Sequence, residues 1–472
     1  MKRMWLLFAW LLVFTTTEAA VKLPALVGDN MVLQRNTEVK VWGTAAPEAK
    51  ISVSTSWNGR TYQTTADKSG NWTTLVSTPD AGGPYEITVS DGEPTVLKNV
   101  LIGEVWVCSG QSNMEMTLRG FPGQRVEGSN EAVAHAGKLK NLRLFTVKRA
   151  KSDTPRTDCT GAWKVCSPAS AVDFSAVAFF FGRNLAEILE IPIGLISTSW
   201  SGSYIEAWMD AETLQGFKAP QDKFVSQTQM FNAMILPLVN YGIRGFIWYQ
   251  GESNRVNYWD YPELMKRMVA LWRDRWGGTP EQLPFYFVQI APYVYPDGPN
   301  GTSSAFLREQ QLRAMREIPN TGMAVTLDVG DSTNIHPIDK QIVGERLSYW
   351  ALGDTYGIEG ISYRSPEYKS MSVEGDRVTV TFEYADRGGL WPWDREVEGF
   401  ELAGPDKVFH PAEATVSKQG KRNAVVVRSD RVKNPVAVRY CFKNYTVGDL
   451  YNTMGLPVSS FRSDDWTEPF TK

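Results

Sequence analysis

Residues 104–115 read Glu-Val-Trp-Val-Cys-Ser-Gly-Gln-Ser-Asn-Met-Glu, and this stretch decides how the whole chain is interpreted. The apolar run Val105–Cys108 has the length of a buried strand, and small and polar residues lead from it into a helix-like segment. Ser112 stands at that junction, beside the unpaired N–H groups and positive dipole end of a helix start. Such a position suits a nucleophilic serine whose attack creates an oxyanion, and it is also that of an ordinary helix N-cap.

The pattern of apolar residues divides the chain into modules. Short alternating runs separated by Gly and Pro turns predict a β-sandwich-like module over residues 20–100. Strand-like and helix-like runs alternate over residues 101–357, which predicts an α/β domain whose mostly parallel sheet is covered on both faces, a three-layer α/β/α arrangement. Helices are expected there at residues 174–189, 261–276, 304–317 and 339–352. Strand alternation returns afterwards and predicts a second β module over residues 358–472.

The N-terminal segment, residues 1–19, resembles a signal peptide. Lys2 and Arg3 precede an apolar stretch, and small residues surround a cleavage site after Ala19. A retained anchor is the alternative. We therefore expect a secreted or periplasmic protein with no membrane span after cleavage. The net charge is −3 and no basic stripe stands out, so a nucleic-acid partner is not expected. The sequence leaves the oligomeric state open.

Metal and cofactor sites are not expected. The three histidines, His135, His336 and His410, have no metal-ligand spacing relative to one another or to cysteines. Four cysteines are too few for a disulfide scaffold, although Cys159 and Cys166 are close enough in sequence to close a small loop.

Small polar or acid–base residues follow four of the predicted strands. In open parallel sheets, ligands bind outside the carboxyl ends of the strands. The segments concerned are 110–113, 199–203, 250–254 and 328–337. The last contains His336, the only histidine of the α/β domain at a strand end, so it is the candidate general base for Ser112. Four independent structural turns are the alternative interpretation.

Three motifs carry a family resemblance. Gly-Gln-Ser-Asn-Met at 110–114, Trp-Tyr-Gln-Gly-Glu-Ser-Asn at 248–254 and Ile-His-Pro-x-x-Lys at 335–340 resemble the signature blocks of the sialate O-acetylesterase family. That family belongs to the SGNH-hydrolase superfamily and is related to some acetylxylan esterases, so the resemblance implies an SGNH-hydrolase-like catalytic domain. Residues 31–35, 450–452 and 455–457 also match, so the resemblance covers nearly the whole mature chain.

The resemblance implies roles for individual residues. Ser112 matches the nucleophile and His336 the general base of a two-step acyl transfer through an acetyl-serine. The N–H groups of Ser112 and Gly202 match donors of the oxyanion hole. The turn at 250–254, with the amides of Gln250 and Asn254, matches the block that supplies a side-chain amide to the same hole.

The acid that would orient the histidine departs from the superfamily pattern. An Asp-x-x-His motif would place it at position 333, which is Thr333 here. We prefer Asp331, because a loop can fold it back on the imidazole of His336. Asp328 and Glu252 are alternatives, and a Ser-His dyad with a backbone acceptor remains open.

The expected function is that of a carbohydrate O-acetylesterase acting on sialic acid esters. Acetylated xylan or another glycan is the alternative substrate, and Trp200, Trp208 and Trp259 are candidates for sugar stacking or for the core. A glycan-binding protein with a degenerate site, and a glycosidase using Glu104 and Glu252, are further interpretations from other classes.

Overall fold

The computed structural model describes residues 21–218, 228–279, 282–385, 388–416 and 422–466. The expected signal peptide, residues 1–19, lies outside the described residues, and the expectation of export stays a prediction. No helix in the described ranges combines the length and the apolar character needed to cross a membrane.

The first part of the chain forms short, mostly antiparallel strands. They are β1 (Val32–Gln34), β2 (Glu38–Thr44), β3 (Lys50–Thr55), β4 (Thr61–Thr65), β5 (Asn71–Ser77), β6 (Gly82–Ser90) and β7 (Pro94–Gly110). Strands β2 and β5 pair as a separate two-stranded sheet, whereas β1, β3, β4 and β6 join the large sheet through β7. Burial alternates along β3 and β5, as expected for strands with one face toward a core.

Strand β7 belongs to both the N-terminal module and the central sheet. Its first half pairs antiparallel with β6, and its residues 106–110 lie between two parallel neighbours, β10 (Ile193–Ser199) and β11 (Gly245–Tyr249). Residues 100–110 are buried without interruption. The expected boundary between residues 100 and 101 therefore lies inside one continuous strand rather than in a linker.

The central part alternates strands and helices. Its elements are α1 (Ser112–Glu115), α2 (Ser129–Ala136), β8 (Leu142–Thr146), β9 (Trp163–Val165), α3 (Pro168–Ala171), α4 (Ala176–Leu189), β10 (Ile193–Ser199), β11 (Gly245–Tyr249), α5 (Tyr261–Arg275), β12 (Phe285–Val288), α6 (Ser303–Glu317), β13 (Thr321–Ala324) and α7 (Lys340–Trp350). Short 3₁₀ and π turns occupy Ile205–Trp208, Phe231–Ile235, Leu236–Leu238, Ser253–Asp260 and Ala351–Thr355. The strand order is β13-β12-β11-β7-β10-β8-β9, and every pair along it except β8–β9 is parallel. The predicted mostly parallel sheet is confirmed.

Helices cover both faces of this sheet. Trp106 of β7 meets Phe181 of α4 edge-on, with ring centroids 5.2 Å apart, and α7 packs beside α4 on that face. Trp248 of β11 points to the opposite face and meets Trp272 of α5 at 5.7 Å. Such edge-to-face contacts between large buried rings stabilise both layers, and they confirm the three-layer arrangement.

The last part of the chain is a second β module. Its strands are β14 (Glu367–Glu374), β15 (Arg377–Glu383), β16 (Leu390–Trp391), β17 (Phe400–Ala403), β18 (Phe409–Pro411), β19 (Glu413–Thr415), β20 (Ala424–Arg428), β21 (Ala437–Tyr440), β22 (Tyr451–Asn452) and β23 (Phe461–Arg462). They form the antiparallel sheets β14-β15-β20-β19 and β18-β17-β21-β23 and the pair β16–β22.

A buried arginine joins this module to the central domain. Arg308 of α6 donates to Ser460 Oγ at 3.0 Å and to the carbonyl oxygens of Cys441 at 3.2 Å and Lys443 at 2.6 Å. Burial lowers the pKa of its guanidinium to about 10. Because a buried guanidinium needs acceptors for its donors, these bonds hold the two parts together.

The small disulfide loop does not form. Cys159 and Cys166 are both free thiols, the first half-buried and the second buried. Burial raises the pKa of each thiol to about 12, which keeps both in the protonated, unreactive form.

Candidate active site

Three neighbouring strands end at the same level of the sheet. Gly110 of β7 pairs in register with Ser199 of β10 on one side and with Tyr249 of β11 on the other. Because the strands are parallel, the loops that follow them emerge at one edge. The segments that begin at 110, 200 and 250 are therefore brought together, as the sequence predicted.

Asn113 joins the segment of Ser112 to that of His336. Its side-chain Nδ2 donates a hydrogen bond to the carbonyl oxygen of Ile335 at 3.2 Å, across 222 positions of the sequence. Asn113 directly follows Ser112, and Ile335 directly precedes His336. The nucleophile and base candidates thus lie on two loops in direct contact.

The other contacts of the Asn113 amide are buried charged groups. Nδ2 also donates to Glu252 Oε1 at 2.5 Å, and Oδ1 accepts from Lys340 Nζ at 2.5 Å. Both residues are nearly or fully buried. Desolvation raises the pKa of Glu252 and lowers that of Lys340 to about 7.

Ser112 is the first residue of α1 rather than its N-cap. Gln111 takes the N-cap position in an extended conformation, so the capping interpretation of Ser112 is wrong. The Ser112 side chain makes no hydrogen bond within the described residues, and the residue is 8% exposed. Its hydroxyl is therefore available for chemistry.

His336 is oriented by a glutamine. Its Nδ1 lies 2.6 Å from Gln124 Oε1, and the ring of Phe121 meets the imidazole edge-on with centroids 5.3 Å apart. A carboxamide oxygen only accepts, so Nδ1 carries the proton and Nε2 keeps the lone pair of a base. Burial, followed by the charge of Lys340, lowers the pKa of His336 to about 4, so the imidazole is neutral near pH 7.

Asp331 does not have the role expected for it. Its Oδ1 accepts from the backbone N–H of Thr333 at 2.7 Å, from the Thr333 hydroxyl at 2.8 Å and from the N–H of Asn334 at 3.0 Å. These bonds hold the pKa of the carboxyl below its usual range and cap its own turn. The prediction that Asp331 orients His336 is wrong, because Gln124 occupies Nδ1.

The two alternative acids are also engaged elsewhere. Asp328 forms a two-pronged ion pair with Arg346, at 2.7 and 2.6 Å. Glu252 accepts a hydrogen bond from Asn113, as described above, and among the described residues it makes no hydrogen bond to His336, whose Nδ1 is bound by Gln124.

Two backbone N–H groups remain for an oxyanion. Within the described residues, neither the N–H of Ser112 nor that of Gly202 has an acceptor. Gly202 has a φ of +73°, which favours glycine, and no heavy atom lies within 4 Å of the position a Cβ would take. Glu115 of α1 accepts from the N–H of Ser201 at 2.8 Å and from its hydroxyl at 2.5 Å, which fixes the turn beside Ser112.

Gln250 and Asn254 do not point their amides into this site. Gln250 Nε2 donates to the carbonyl of Ser203 at 3.1 Å and to Asn254 Oδ1 at 2.7 Å. Asn254 Nδ2 donates to Glu206 at 2.9 Å, and its Oδ1 accepts from the N–H of Ile205 at 3.0 Å. The prediction that either amide completes the oxyanion hole is wrong, since both brace the segment after Gly202.

The three candidate sugar-stacking tryptophans differ in position. Trp200 is half-buried at the site, with Arg149 and Lys151 over its ring at 5.2 and 5.3 Å. Trp208 is fully buried and belongs to the core. Trp259 is 43% exposed on the turn that follows the 250–254 block.

The geometry excludes a glycosidase mechanism that uses Glu104 and Glu252 as its two carboxylates. Glu104 precedes Gly110 by six positions in β7, which separates it from the site edge by about 20 Å. It is bound there by Arg35 and Arg244, each at 2.6 Å. Glycosidase carboxyl pairs lie about 5–9.5 Å apart, so Glu104 and Glu252 cannot act together.

Three site residues carried no prediction. Asn113 and Lys340 lie inside the quoted motifs, so their positions there could have marked them as residues of the site. Gln124 lies in a glycine-rich loop with no distinguishing pattern, and only the fold brings it to His336.

The chain is similar to known carbohydrate esterases. Residues 102–348 match the family model described as carbohydrate esterase, sialic acid-specific acetylesterase. Sialate O-acetylesterase of Mus musculus is 28% identical over 428 residues (76% of this chain, 78% of the relative), and that of Homo sapiens is 29% identical over 417 residues (80% and 79%). The crystal structure of a carbohydrate acetylesterase from Xanthomonas citri has a TM-score of 0.85 and 38% identity, covering 94% of this chain and all of the other. The chain is thus a carboxylic-ester hydrolase, and it belongs to the sialic acid-specific acetylesterase family of carbohydrate esterases.

Proposed function

We propose that this enzyme removes acetyl groups from O-acetylated sialic acid through an acetyl-serine on Ser112. The observation that carries the mechanism is the hydrogen bond from Asn113 to Ile335, which joins the loops of Ser112 and His336. The two relatives named sialate O-acetylesterase support this substrate.

The reaction has two halves. His336 Nε2 takes the proton of the Ser112 hydroxyl as its Oγ attacks the acetyl carbonyl. The N–H groups of Ser112 and Gly202 stabilise the oxyanion, and a lost donor of this kind costs about 2.7–4 kcal/mol. The sugar oxygen leaves with the proton from His336. Water, activated by the same imidazole, then cleaves the acetyl-serine and releases acetate.

Acetylated xylan or another neutral glycan is the second candidate substrate. The Xanthomonas citri neighbour shares more identity with this chain than the mammalian relatives do and is named only as a carbohydrate acetylesterase, which leaves the sugar open. Acetate release should be compared on O-acetylated sialic acid and on acetylated xylo-oligosaccharides at matched concentrations. A higher kcat/KM on the sialic acid ester supports the proposal, and a higher value on the xylo-oligosaccharide contradicts it.

Gln124 is expected to act as the partner that orients His336. Replacing Gln124 with leucine removes the acceptor at Nδ1, so we expect kcat to fall by about 10- to 100-fold with little change in KM. The measurement is steady-state hydrolysis of 4-nitrophenyl acetate. Asp331→Asn is the matched control, because the sequence favoured Asp331 as the residue that orients His336. Its kcat should stay within about threefold of wild type. A larger loss for Asp331→Asn than for Gln124→Leu would reverse the assignment.

The pH profile provides an independent check. A general base must be neutral, and the pKa of His336 is lowered to about 4. The acid limb of kcat/KM is therefore expected near pH 4, well below the ordinary histidine value of about 6.5. Rates on 4-nitrophenyl acetate between about pH 3 and 8, with circular dichroism to monitor folding, test this. An acid limb at or above about 6.5 would contradict the described environment of His336.

We also propose that the enzyme is exported. The composition of residues 1–19 supports this, with Lys2 and Arg3 before an apolar stretch. N-terminal sequencing of the mature protein from its host should start at Ala20, and an intact Met1 terminus would contradict it.

A further inference from the structure

Lys340 is a buried lysine beside the reacting groups. It is the first residue of α7, it is fully buried, and its Nζ binds Asn113 Oδ1 at 2.5 Å and lies 5.7 Å from the centroid of the Tyr249 ring. Lysine is almost never fully buried unless it is paired. Because the ammonium of Lys340 is buried, it does not serve to keep the protein surface soluble, and we looked for a role in the site.

The contacts of Lys340 reach both catalytic loops through one amide. Asn113 has two N–H donors, which go to Ile335 and Glu252, and its oxygen is taken by Lys340. All three bonds are satisfied only in one orientation of the amide. Lys340 therefore acts together with Glu252 and the Ile335 carbonyl to determine which way Asn113 points, and with it the contact between the Ser112 turn and the His336 loop.

Lys340 also acts on His336 through its charge. The charged and titratable groups around the ammonium are Glu252 in the turn after β11, the phenol of Tyr249, His336, and Asp339, which directly precedes Lys340 in the chain. On the far side of the imidazole lie Gln124 and Phe121, which carry no charge. Within the described residues, burial is the main cause of the lowered pKa of His336, and the positive charge of Lys340 lowers it further.

We propose that Lys340 is a positioning residue of this esterase, which fixes Asn113 by its hydrogen bond and places a positive charge beside the loop that carries His336. The inference rests on the proposed Ser112–His336 mechanism. A cation close to an imidazole disfavours the imidazolium, and in a buried environment this interaction is weakly screened. The base is then held in its active, neutral form in mildly acidic solution.

The order of titration is consistent with this role. The pKa of Lys340 is lowered to about 7 and that of His336 to about 4. Across the range in which His336 takes up its proton, Lys340 therefore carries its charge. Glu252 balances that charge through Asn113, and its Oε2 has no partner among the described residues.

The test is Lys340→Met, which keeps the length of the side chain and removes the donor and the charge. We expect the acid limb of kcat/KM on 4-nitrophenyl acetate to move up by about one pH unit and kcat to fall by about tenfold. Gln341→Met is the matched control, because Gln341 is the next residue of α7 and binds only Glu345 among the described contacts. Its acid limb should coincide with that of wild type. A purely structural lysine would lower kcat and leave the limb in place.

Removing one member of a buried charged pair can prevent folding, so a second variant is needed. The double variant Lys340→Met/Glu252→Gln removes both charges and keeps a polar group beside Asn113. Its acid limb should also rise, but by less than in Lys340→Met, because the loss of the Glu252 carboxylate removes a negative charge that favours the imidazolium. An unshifted acid limb in both variants would overturn the inference.

Ser112→Ala, measured in the same assay, distinguishes a failure of the proposed mechanism from a failure of the role of Lys340. If Ser112→Ala stays active, the proposed mechanism is wrong. If Ser112→Ala is inactive and the acid limb of Lys340→Met is unshifted, only the role proposed for Lys340 is wrong.

Discussion

Replacing Ser112 with alanine is expected to lower kcat for acetyl-ester hydrolysis by about 10⁴- to 10⁶-fold, because no other group in the site would attack the carbonyl. The residual rate would come from the N–H groups of Ser112 and Gly202, which the change leaves in place. The measurement is acetate release with a sensitive coupled assay, together with mass spectrometry of an acid-quenched reaction. Wild type should show an acetylated peptide containing residue 112, and the variant should not.

The same variant should fold normally. The Ser112 side chain makes no hydrogen bond within the described residues, so its removal leaves no partner unsatisfied. We expect a Tm within about 2 °C of wild type. Activity within tenfold of wild type in a folded Ser112→Ala protein would disprove the acyl-enzyme mechanism.

Replacing His336 with alanine is expected to lower kcat by about 10³- to 10⁵-fold, since proton transfer in both halves of the reaction depends on the imidazole. The change also removes the contact with Gln124, so we expect a loss of stability of about 1 kcal/mol. Steady-state rates on 4-nitrophenyl acetate and thermal unfolding measure the two effects separately. The acid limb near pH 4 should disappear together with the activity.

His135→Ala is the control for this change. His135 lies exposed on α2, and its Nδ1 contacts the carbonyl of Glu131 one turn earlier. Its replacement should leave kcat within about twofold of wild type. If His336→Ala hydrolyses esters as fast as His135→Ala, the general base lies elsewhere.

Local patterns predicted the elements well where the periodicity was strong. The helices expected at 261–276 and 304–317 occur as Tyr261–Arg275 and Ser303–Glu317. The helix expected from 174 begins at Ala176, because Ser175 caps it by accepting from the N–H of Ala178. Module boundaries were harder to predict. The apolar pattern of a strand such as β7 does not show whether the strand belongs to one module or continues from one into the next.

The candidate site was predicted only in part, and the errors share a cause. Asp331, Gln250 and Asn254 have side chains suited to the roles expected of them, but each finds nearer partners once the backbone is folded. A polar side chain binds the first donor or acceptor within reach, and that choice depends on distances of a few tenths of an ångström. Residue type and spacing do not contain those distances.

By itself the sequence determined the layered α/β architecture, the nucleophile and base candidates, and the family, because periodicity and short motifs are local properties of the chain. The tertiary structure alone decided that Gln124 holds the imidazole, that Gln250 and Asn254 brace a turn, and that Lys340 lies buried beneath Asn113. The hydrogen bonds of Gln124 and Lys340 join residues more than two hundred positions apart, and those of Gln250 and Asn254 join separate turns. Both kinds depend on how loops pack at one edge of a sheet, and no local pattern specifies that packing.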